Sequence, residues 1–309
     1  MHRVPSSWTA VVNPAAGRGR ARSRLPHLVD ALAAADLDVA IHLSADADDL
    51  VAIARGAFEN GRGVVACGGD GTVTALAGVA ADHDGVLGIV AVGSGNDFAR
   101  QLEIPRDDVD AAIAVLETGH VVAADLGRVH TADGRNQYFT TVANTGFDAV
   151  ANEWANRVTW TSGTPLYVMA ALRTLATYEP RHFRITVDDE VVETAAWLVA
   201  VGNTRTYASG MMITPAASVH DGRLDVCVVG PVGRAEFLRT FPSVFRGEHV
   251  RHPMVHTWRA ERVTIESAQG RDDGGGTPVD MWASGEYTGP LPARLESAAG
   301  ALAVMVPAI

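Results

Sequence analysis

The sequence predicts an α/β domain followed by a β-rich, mainly antiparallel domain. Up to about residue 125, short β-like runs alternate with Ala- and Leu-rich stretches of helical length. Beyond it, runs rich in β-branched and aromatic residues follow one another with few helical stretches between. A chain of 309 residues also has room for two domains, at about 100–200 residues each.

In the first half, Thr9–Val12, Val39–Leu43, Val64–Cys67 and Leu87–Val92 are apolar runs bounded by turn residues, and they read as strands. Residues 21–35, 47–60 and 72–80 read as helices, and a further helix over about 107–118 follows Pro105. Strands alternating with helices give a parallel sheet between two helical layers, a three-layer α/β domain. Ligands of such sheets bind at the carboxyl ends of strands, so the turns after the first, third and fourth strands are the places to look.

In the second half, Tyr138–Ala143, His182–Val187, Ala195–Val201, Leu224–Val229, Arg262–Glu266 and Val279–Ala283 read as strands. Helical stretches cover about 165–178 and 233–246. Strands that mostly follow one another imply an antiparallel β-sandwich. Gln269–Thr277, a Gly/Asp-rich run, reads as a hairpin tip. The expected domains are 1–125 and 126–309, with Leu302–Val306 expected to return to the first domain.

Composition narrows the function. Hydrophobic residues make up 47% and charged residues 20%, which excludes wholesale disorder. Lys and Arg number 25 against 36 Asp and Glu, a net charge of −11. That argues against nucleic acid as a partner and against electrostatic docking on anionic lipid. Cys67 and Cys227 each lie in an apolar run, and two isolated cysteines make neither a disulfide framework nor a zinc site. The N-terminus lacks the apolar core of a signal peptide, and no window approaches 18 consecutive apolar residues, so a cytoplasmic location is expected.

Three turns carry chemistry. After the first strand comes Asn13-Pro14-Ala-Ala-Gly17-Arg18-Gly19, which can expose backbone N–H groups to an anion or be an ordinary turn. After the third strand comes Gly68-Gly69-Asp70-Gly71-Thr72. Its glycines permit positive φ and close approach of a phosphate, and Thr72 can cap a helix and donate to a phosphate oxygen. Asp70 would repel a phosphate, but it makes sense holding Mg²⁺ or taking a proton from a hydroxyl. After the fourth strand comes Gly93-Ser94-Gly95-Asn96-Asp97-Phe98-Ala99-Arg100, where Asn96 or Asp97 could cap a helix. Two such loops at neighbouring strand ends point to one shared polyphosphate site. Neither matches G-x-x-x-x-G-K-[ST] or G-x-G-x-x-G.

Together these motifs resemble the diacylglycerol kinase catalytic-domain family, more closely its soluble bacterial lipid kinases within the diacylglycerol and sphingosine kinase superfamily. GGDGT alone is shared with NAD kinases, whereas GGDGT followed by GNDFAR is highly specific. The second half extends the likeness through Asn144-Thr-Gly146-Phe147-Asp148, Asn203, Pro215, Asp221-Gly222-Arg223-Leu224-Asp225-Val226 and Ser284-Gly285-Glu286. The resemblance implies a soluble ATP- and Mg²⁺-dependent lipid kinase with ATP between the two domains, phosphorylating diacylglycerol or a related lipid alcohol. It implies nucleotide contacts at Asn13, Ser44, Gly68, Gly69, Asp70, Gly71, Thr72, Val73, Thr74, Gly93, Ser94 and Asn96, with Asp97 lining the phosphate end. It also implies a structural Mg²⁺ on the Asp221 carboxylate and main-chain oxygens of Ser218 and Arg223, although Asp221-Gly222 also suits a hairpin turn.

The chain departs from the family where a proposed general base, an Asp, is replaced by Ser284; Ala75 also stands where relatives often carry an acid. Serine cannot take a proton from a lipid hydroxyl near neutral pH, so Asp70, Asp97, Glu286 or Asp280 is expected to act instead. The alternative is a non-catalytic nucleotide-binding homologue with a regulatory role. A lipid acceptor implies transient, peripheral membrane contact, with Trp154, Trp160, Leu166, Tyr167, Met169 and Tyr207–Met212 as a candidate apolar lip or as core. A homodimer stays open. His249 and His252 read as surface residues rather than ligands.

Overall fold

The computed structural model describes residues 3–16, 20–106, 108–158, 164–268 and 279–308. Gly17, Asp107, Trp160 and the whole of Gln269–Thr277 lie outside them. The chain forms two compact units, Met1–Leu126 with Ala299–Ile309, and Gly127–Ala298.

The first unit is built on β1 (Ser7–Val12), α1 (Arg20–Ala34), β2 (Asp38–Leu43), α2 (Ala47–Glu59), β3 (Gly63–Gly68), α3 (Asp70–Asp82), β4 (Val86–Ala91), α4 (Asp97–Gln101) and α5 (Val109–Thr118). Strands β1 to β4 pair in parallel in the order β2-β1-β3-β4. Strands β3 and β4 are buried throughout, as expected of a parallel sheet with both faces covered, while the edge strand β2 is partly exposed. Trp8, Leu28, Leu32, Val65 and Leu116 fill one packed core. Helices α2 and α5 start at Asp46 and Asp108, whose carboxylates accept from the N–H of Asp49 and Ala111 at 2.9 Å each. Such caps satisfy donors that the first turn leaves open.

The second unit continues through β5 (His120–Thr131), β6 (Asn136–Phe139), β7 (Val142–Gly146), α6 (Phe147–Arg157), α7 (Thr164–Thr177), β8 (Arg181–Val187), β9 (Glu190–Ala196), β10 (Leu198–Gly202) and β11 (Leu224–Val229). After β11 come α8 (Arg234–Thr240), 3-10 turns at Phe241–Arg246 and Glu248–Arg251, β12 (Val255–Ala260), β13 (Arg262–Ser267), β14 (Asp280–Ala283), β15 (Glu286–Pro290) and β16 (Ala293–Val306). One antiparallel sheet runs β12-β11-β10-β7-β14-β15. Facing it, β13 pairs with β8 and with the first half of β16, and β8 pairs with β9, all antiparallel. Between them pack Phe139, Phe183, Ile185, Val199, Val226, Val263 and Leu295. The sandwich read from the sequence is therefore the architecture of this unit.

Central strands β10 and β11, Asp225 apart, are apolar on both faces because both faces are covered. Val199 and Val201 face the sandwich core, whereas Leu198, Ala200 and Cys227 face a second core with Phe147, Trp197 and Phe237. The chain crosses between units in β5 and again in β16, whose second half pairs in parallel with β4, Ala303 opposite Val86. The sequence does not separately predict these two strands, α6, β9, β12 or β15, whereas the helix expected to open at Asn96 or Asp97 is α4, with Asn96 as its N-cap. The expected 233–246 helix is instead the short α8 followed by a 3-10 turn containing Pro242.

Gly127 lies opposite the fully buried Phe139 across β5 and β6, and an added Cβ would overlap the Phe139 ring. Gly127→Ala should therefore lower stability by about 1–3 kcal/mol in urea unfolding. Phe139→Leu in the same background should return part of the loss, because it opens the space the methyl needs.

Candidate nucleotide loops and the acid-lined cavity

In the first unit the GGDGT turn and the GNDFAR turn form one structure. Gly69 ends the extended run and Asp70 begins α3. The Asp70 carboxylate accepts from two successive main-chain N–H groups of the other turn, Oδ2 from Asn96 and Oδ1 from Asp97, each at 2.7 Å. Both carboxylate oxygens are thus engaged in organising the second loop. A Cβ on Gly95 would come within 2.5 Å of Asp70 Oδ2, and one on Gly93 would overlap Gly69 Cα, so these glycines are required by close approach. Asn96 adopts the left-handed conformation at φ 55°, which Asn tolerates. Its Nδ2 donates to the Gly93 carbonyl at 3.1 Å, while its buried Oδ1 has no hydrogen-bond partner.

Desolvation, then the neighbouring Asp97, push the Asp70 carboxyl up to about 6, against the pull of the N–H donors. Asp97 is buried and lies 3.4 Å from the Arg100 guanidinium. Asn13 is drawn into the same cluster, its Nδ2 donating to Thr72 Oγ1 at 3.1 Å, and its N–H donating to the Cys67 carbonyl. Ser44 is buried, with its hydroxyl donating to the Val12 carbonyl at 3.2 Å. Val73 is buried and Thr74 partly so, whereas Gly71 and Ser94 are exposed. Gly71 and Ser94 are thus the exposed positions of the two turns, with Gly69 and Gly95 partly exposed beside them.

The second unit holds the other predicted residues. Ser284, at φ 49°, follows β14, and its Oγ accepts from the main-chain N–H of Thr140 and of Thr141 at 3.1 Å each and from Thr141 Oγ1 at 3.2 Å. An oxygen so held is saturated as an acceptor. Glu286 is exposed, and partial desolvation by neighbouring protein atoms raises its carboxyl; burial, then Glu153, raises that of Asp280.

At the expected metal group, the Asp221 carboxylate is engaged by protein groups. Asp221 Oδ1 accepts from the Arg223 N–H at 3.1 Å, and Oδ2 is paired with the Arg259 guanidinium, which also lies 3.7 Å from Asp225. Arg259 supplies the positive charge that a metal would bring. Among the described residues, no group of three His, Cys, Asp or Glu side chains could hold a metal.

A cavity of about 60 Å³ lies behind α8, walled by Phe147, Met211, Phe237, Phe241 and Val244. Asp148, in the first turn of α6, is its buried acid. Desolvation pushes its carboxyl up to about 6 against a hydrogen bond from Tyr207, and Oδ2 has no hydrogen-bond partner. His249 also lines the cavity and is buried, its Nε2 3.1 Å from the Ile213 carbonyl, so it is not the surface residue expected. Leu166, Tyr207 and Met211 are buried, which makes them core rather than an apolar lip. The sequence reading missed the role of Asp148; the acid in GFDAV was visible, but its partner Tyr207 and the phenylalanine walls come from distant elements.

Comparison with known proteins agrees with this architecture. The diacylglycerol kinase catalytic domain matches residues 7–129, and the YegS C-terminal NAD kinase beta sandwich-like domain matches residues 141–306. A diacylglycerol kinase of Mycobacterium tuberculosis is 35% identical over 302 residues, covering 97% of this chain and 94% of that protein. One of Bacillus subtilis is 26% identical over 286 residues, covering 91% and 90%. A crystal structure of a diacylglycerol kinase from Bacillus anthracis shares the fold, with a TM-score of 0.72 at 23% identity, covering 98% of this chain and 97% of that one. The chain belongs to the diacylglycerol kinase family. No helix among the described residues is long and apolar enough to cross a membrane.

Two outcomes test the electrostatics. The Asp148 carboxyl lies above its unfolded value, so the folded chain holds that proton more tightly. The resulting stability is present below about pH 4 and is lost as pH rises to about 6. Asp148→Asn should therefore be more stable than the parent at pH 7.5, by up to about 3 kcal/mol, with a shallower fall between pH 4 and 6 in urea titrations. Asp70 and Asp225, also raised to about 6, leave a residual slope of the same sign. Separately, Arg259→Ala should cost roughly 1–2 kcal/mol and make the melting temperature rise with added Mg²⁺, while the parent's stays unchanged.

Proposed function

We propose that the protein transfers the γ-phosphoryl group of ATP to the hydroxyl of diacylglycerol or a related lipid alcohol. The observation that carries this reading is the pair of glycine turns clasped by Asp70, in a chain whose relatives named diacylglycerol kinase align along nearly its whole length.

Phosphoryl transfer passes through a loose transition state, so most of the work is positioning and charge neutralisation. The glycine turns let phosphate oxygens approach the main chain, and Asp70 sets the second turn's conformation rather than contributing a free charge. Mg²⁺ arriving with the nucleotide would supply the charge neutralisation that phosphoryl transfer needs. The acceptor proton goes to a carboxylate, and Ser284, already saturated, does not take it. Glu286 is the group we assign to it: exposed at the start of β15, two residues from Ser284, with its carboxyl raised by desolvation.

Transfer of label from ATP to a panel of lipid alcohols tests the proposal, with Asp70→Asn as the disabled control. No labelled lipid above that control would sink it. Glu286→Gln should lower kcat about 10²-fold or more. Ser284→Asp should raise kcat at least tenfold, because the Thr140 and Thr141 N–H groups are placed to hold a carboxylate at a left-handed position that Asp tolerates. An unchanged rate would show that Glu286 alone suffices.

A further inference from the structure

The cavity behind α8 holds two buried polar atoms that no other protein group answers. Asp148 is 8% exposed and His249 5%, and both line it. Asp148 Oδ2 and His249 Nδ1 have no hydrogen-bond partner among the described residues, so they do not bond each other either. The rest of the wall is mostly apolar, with Phe147, Met211, Phe237 and Val244 in it. Buried polar atoms without partners are rare, and two of them in one cavity mark a place where a ligand completes the set.

The chemistry of the two atoms decides what that ligand must offer. His249 Nε2 lies 3.1 Å from the Ile213 carbonyl, and a carbonyl can only accept, so the ring proton sits on Nε2. Burial holds the ring below its usual pKa, which keeps it neutral, and Nδ1 then presents a lone pair. The Asp148 carboxyl, pushed up to about 6, is still an anion at about pH 7.5. Two acceptors and a negative charge call for a cation with several N–H donors. A water between them could donate to both but would leave the charge unanswered. The protein supplies no cation here, because no arginine lines the cavity and the chain contains no lysine. The other histidine of the wall, His252, has both ring nitrogens bonded, to Glu236 and to the Met254 N–H.

We infer that this cavity is a binding site for a small primary ammonium ion with a short apolar tail. The ammonium meets Asp148 and His249, and the tail lies among the phenylalanine side chains. Size bounds the ligand: at about 10–15 Å³ for each water-sized group, 60 Å³ takes roughly four to six non-hydrogen atoms. A quaternary ammonium has no N–H to give, and an anion would be repelled by Asp148, so neither fits. Thr240, Phe241 and His252 are half-buried members of the wall, which leaves a way in from solvent. Asp148 follows the end of β7 opposite the one whose Val142 carbonyl accepts the Ser284 N–H. This is therefore a second site, and it does not rest on the phosphoryl-transfer reading.

Calorimetric titration of the full chain with n-butylammonium chloride, without nucleotide and at about pH 7.5, tests it. A dissociation constant of about 1 mM or tighter is expected for a ligand of this size held at both ends. 1-Butanol, of the same size without the charge, should bind about tenfold more weakly or worse. n-Octylammonium should bind far more weakly, because its tail overfills the cavity. Asp148→Asn keeps the shape and removes the charge, so it should lose about tenfold or more in affinity for n-butylammonium. Asp225→Asn, at a buried acid outside the cavity, should leave that affinity unchanged. Melting temperatures at or above the parent's show that Asp148→Asn folds. No heat of binding, equal affinity for 1-butanol, or full affinity in Asp148→Asn overturns the inference. Undiminished binding of n-octylammonium does so too, since it would place the amine on an open apolar surface.

Discussion

Asp70 accepting the N–H groups of Asn96 and Asp97 is the interaction on which the first unit's loops depend. Two glycine-rich turns at neighbouring strand ends have many conformations open to them. A carboxylate bridging their backbones selects one, and the selection requires Gly95 and Gly93 at the points of closest approach. The arrangement places a negative charge where the helix α4 begins, the end at which main-chain N–H groups favour it, and burial is the cost. That cost is visible in the raised carboxyl of Asp70. An acid in a phosphate loop looks out of place until its two oxygens are found to be occupied.

The second unit solves a different problem. Its central strands must be covered on both faces, and the helices α7 and α8 provide the outer cover for Trp197, Leu198 and Cys227. Covering a twisted sheet with short helical pieces leaves two hollows. The inner one keeps Asp148 with a single hydrogen bond from Tyr207, and the outer one exposes Leu172 and Leu238. Phe237 and Phe241 line both.

Elsewhere, protein groups answer charges and polar atoms that the motifs suggested were for ligands. Arg259 stands between Asp221 and Asp225, where a cation was expected, and the N–H groups of Thr140 and Thr141 hold the hydroxyl of Ser284. Ser284 follows the rule that buried polar atoms find partners, whereas Asp225 Oδ2 has only the Arg259 charge at 3.7 Å and no hydrogen bond. Ser284 is best understood as a small residue filling a cradle that would also hold a carboxylate.

The sequence alone determined the fold class, the parallel strands β1 to β4 and the two glycine turns, because strand periodicity and positive-φ tolerance are local properties of consecutive residues. It also determined the family resemblance, which rests on motif spacing. Strands β9, β12 and β15 escaped it because they are edge or hairpin strands with mixed polarity, and β5 and β16 because each serves both units. Which atoms answer which charges was decided only by tertiary structure. Asp70 meets Asn96 26 residues away, Asp221 meets Arg259 38 away and Ser284 meets Thr140 144 away. Residue type advertises a charge or a hydroxyl, but whether it is free for chemistry depends on partners that only the folded chain brings within hydrogen-bonding reach.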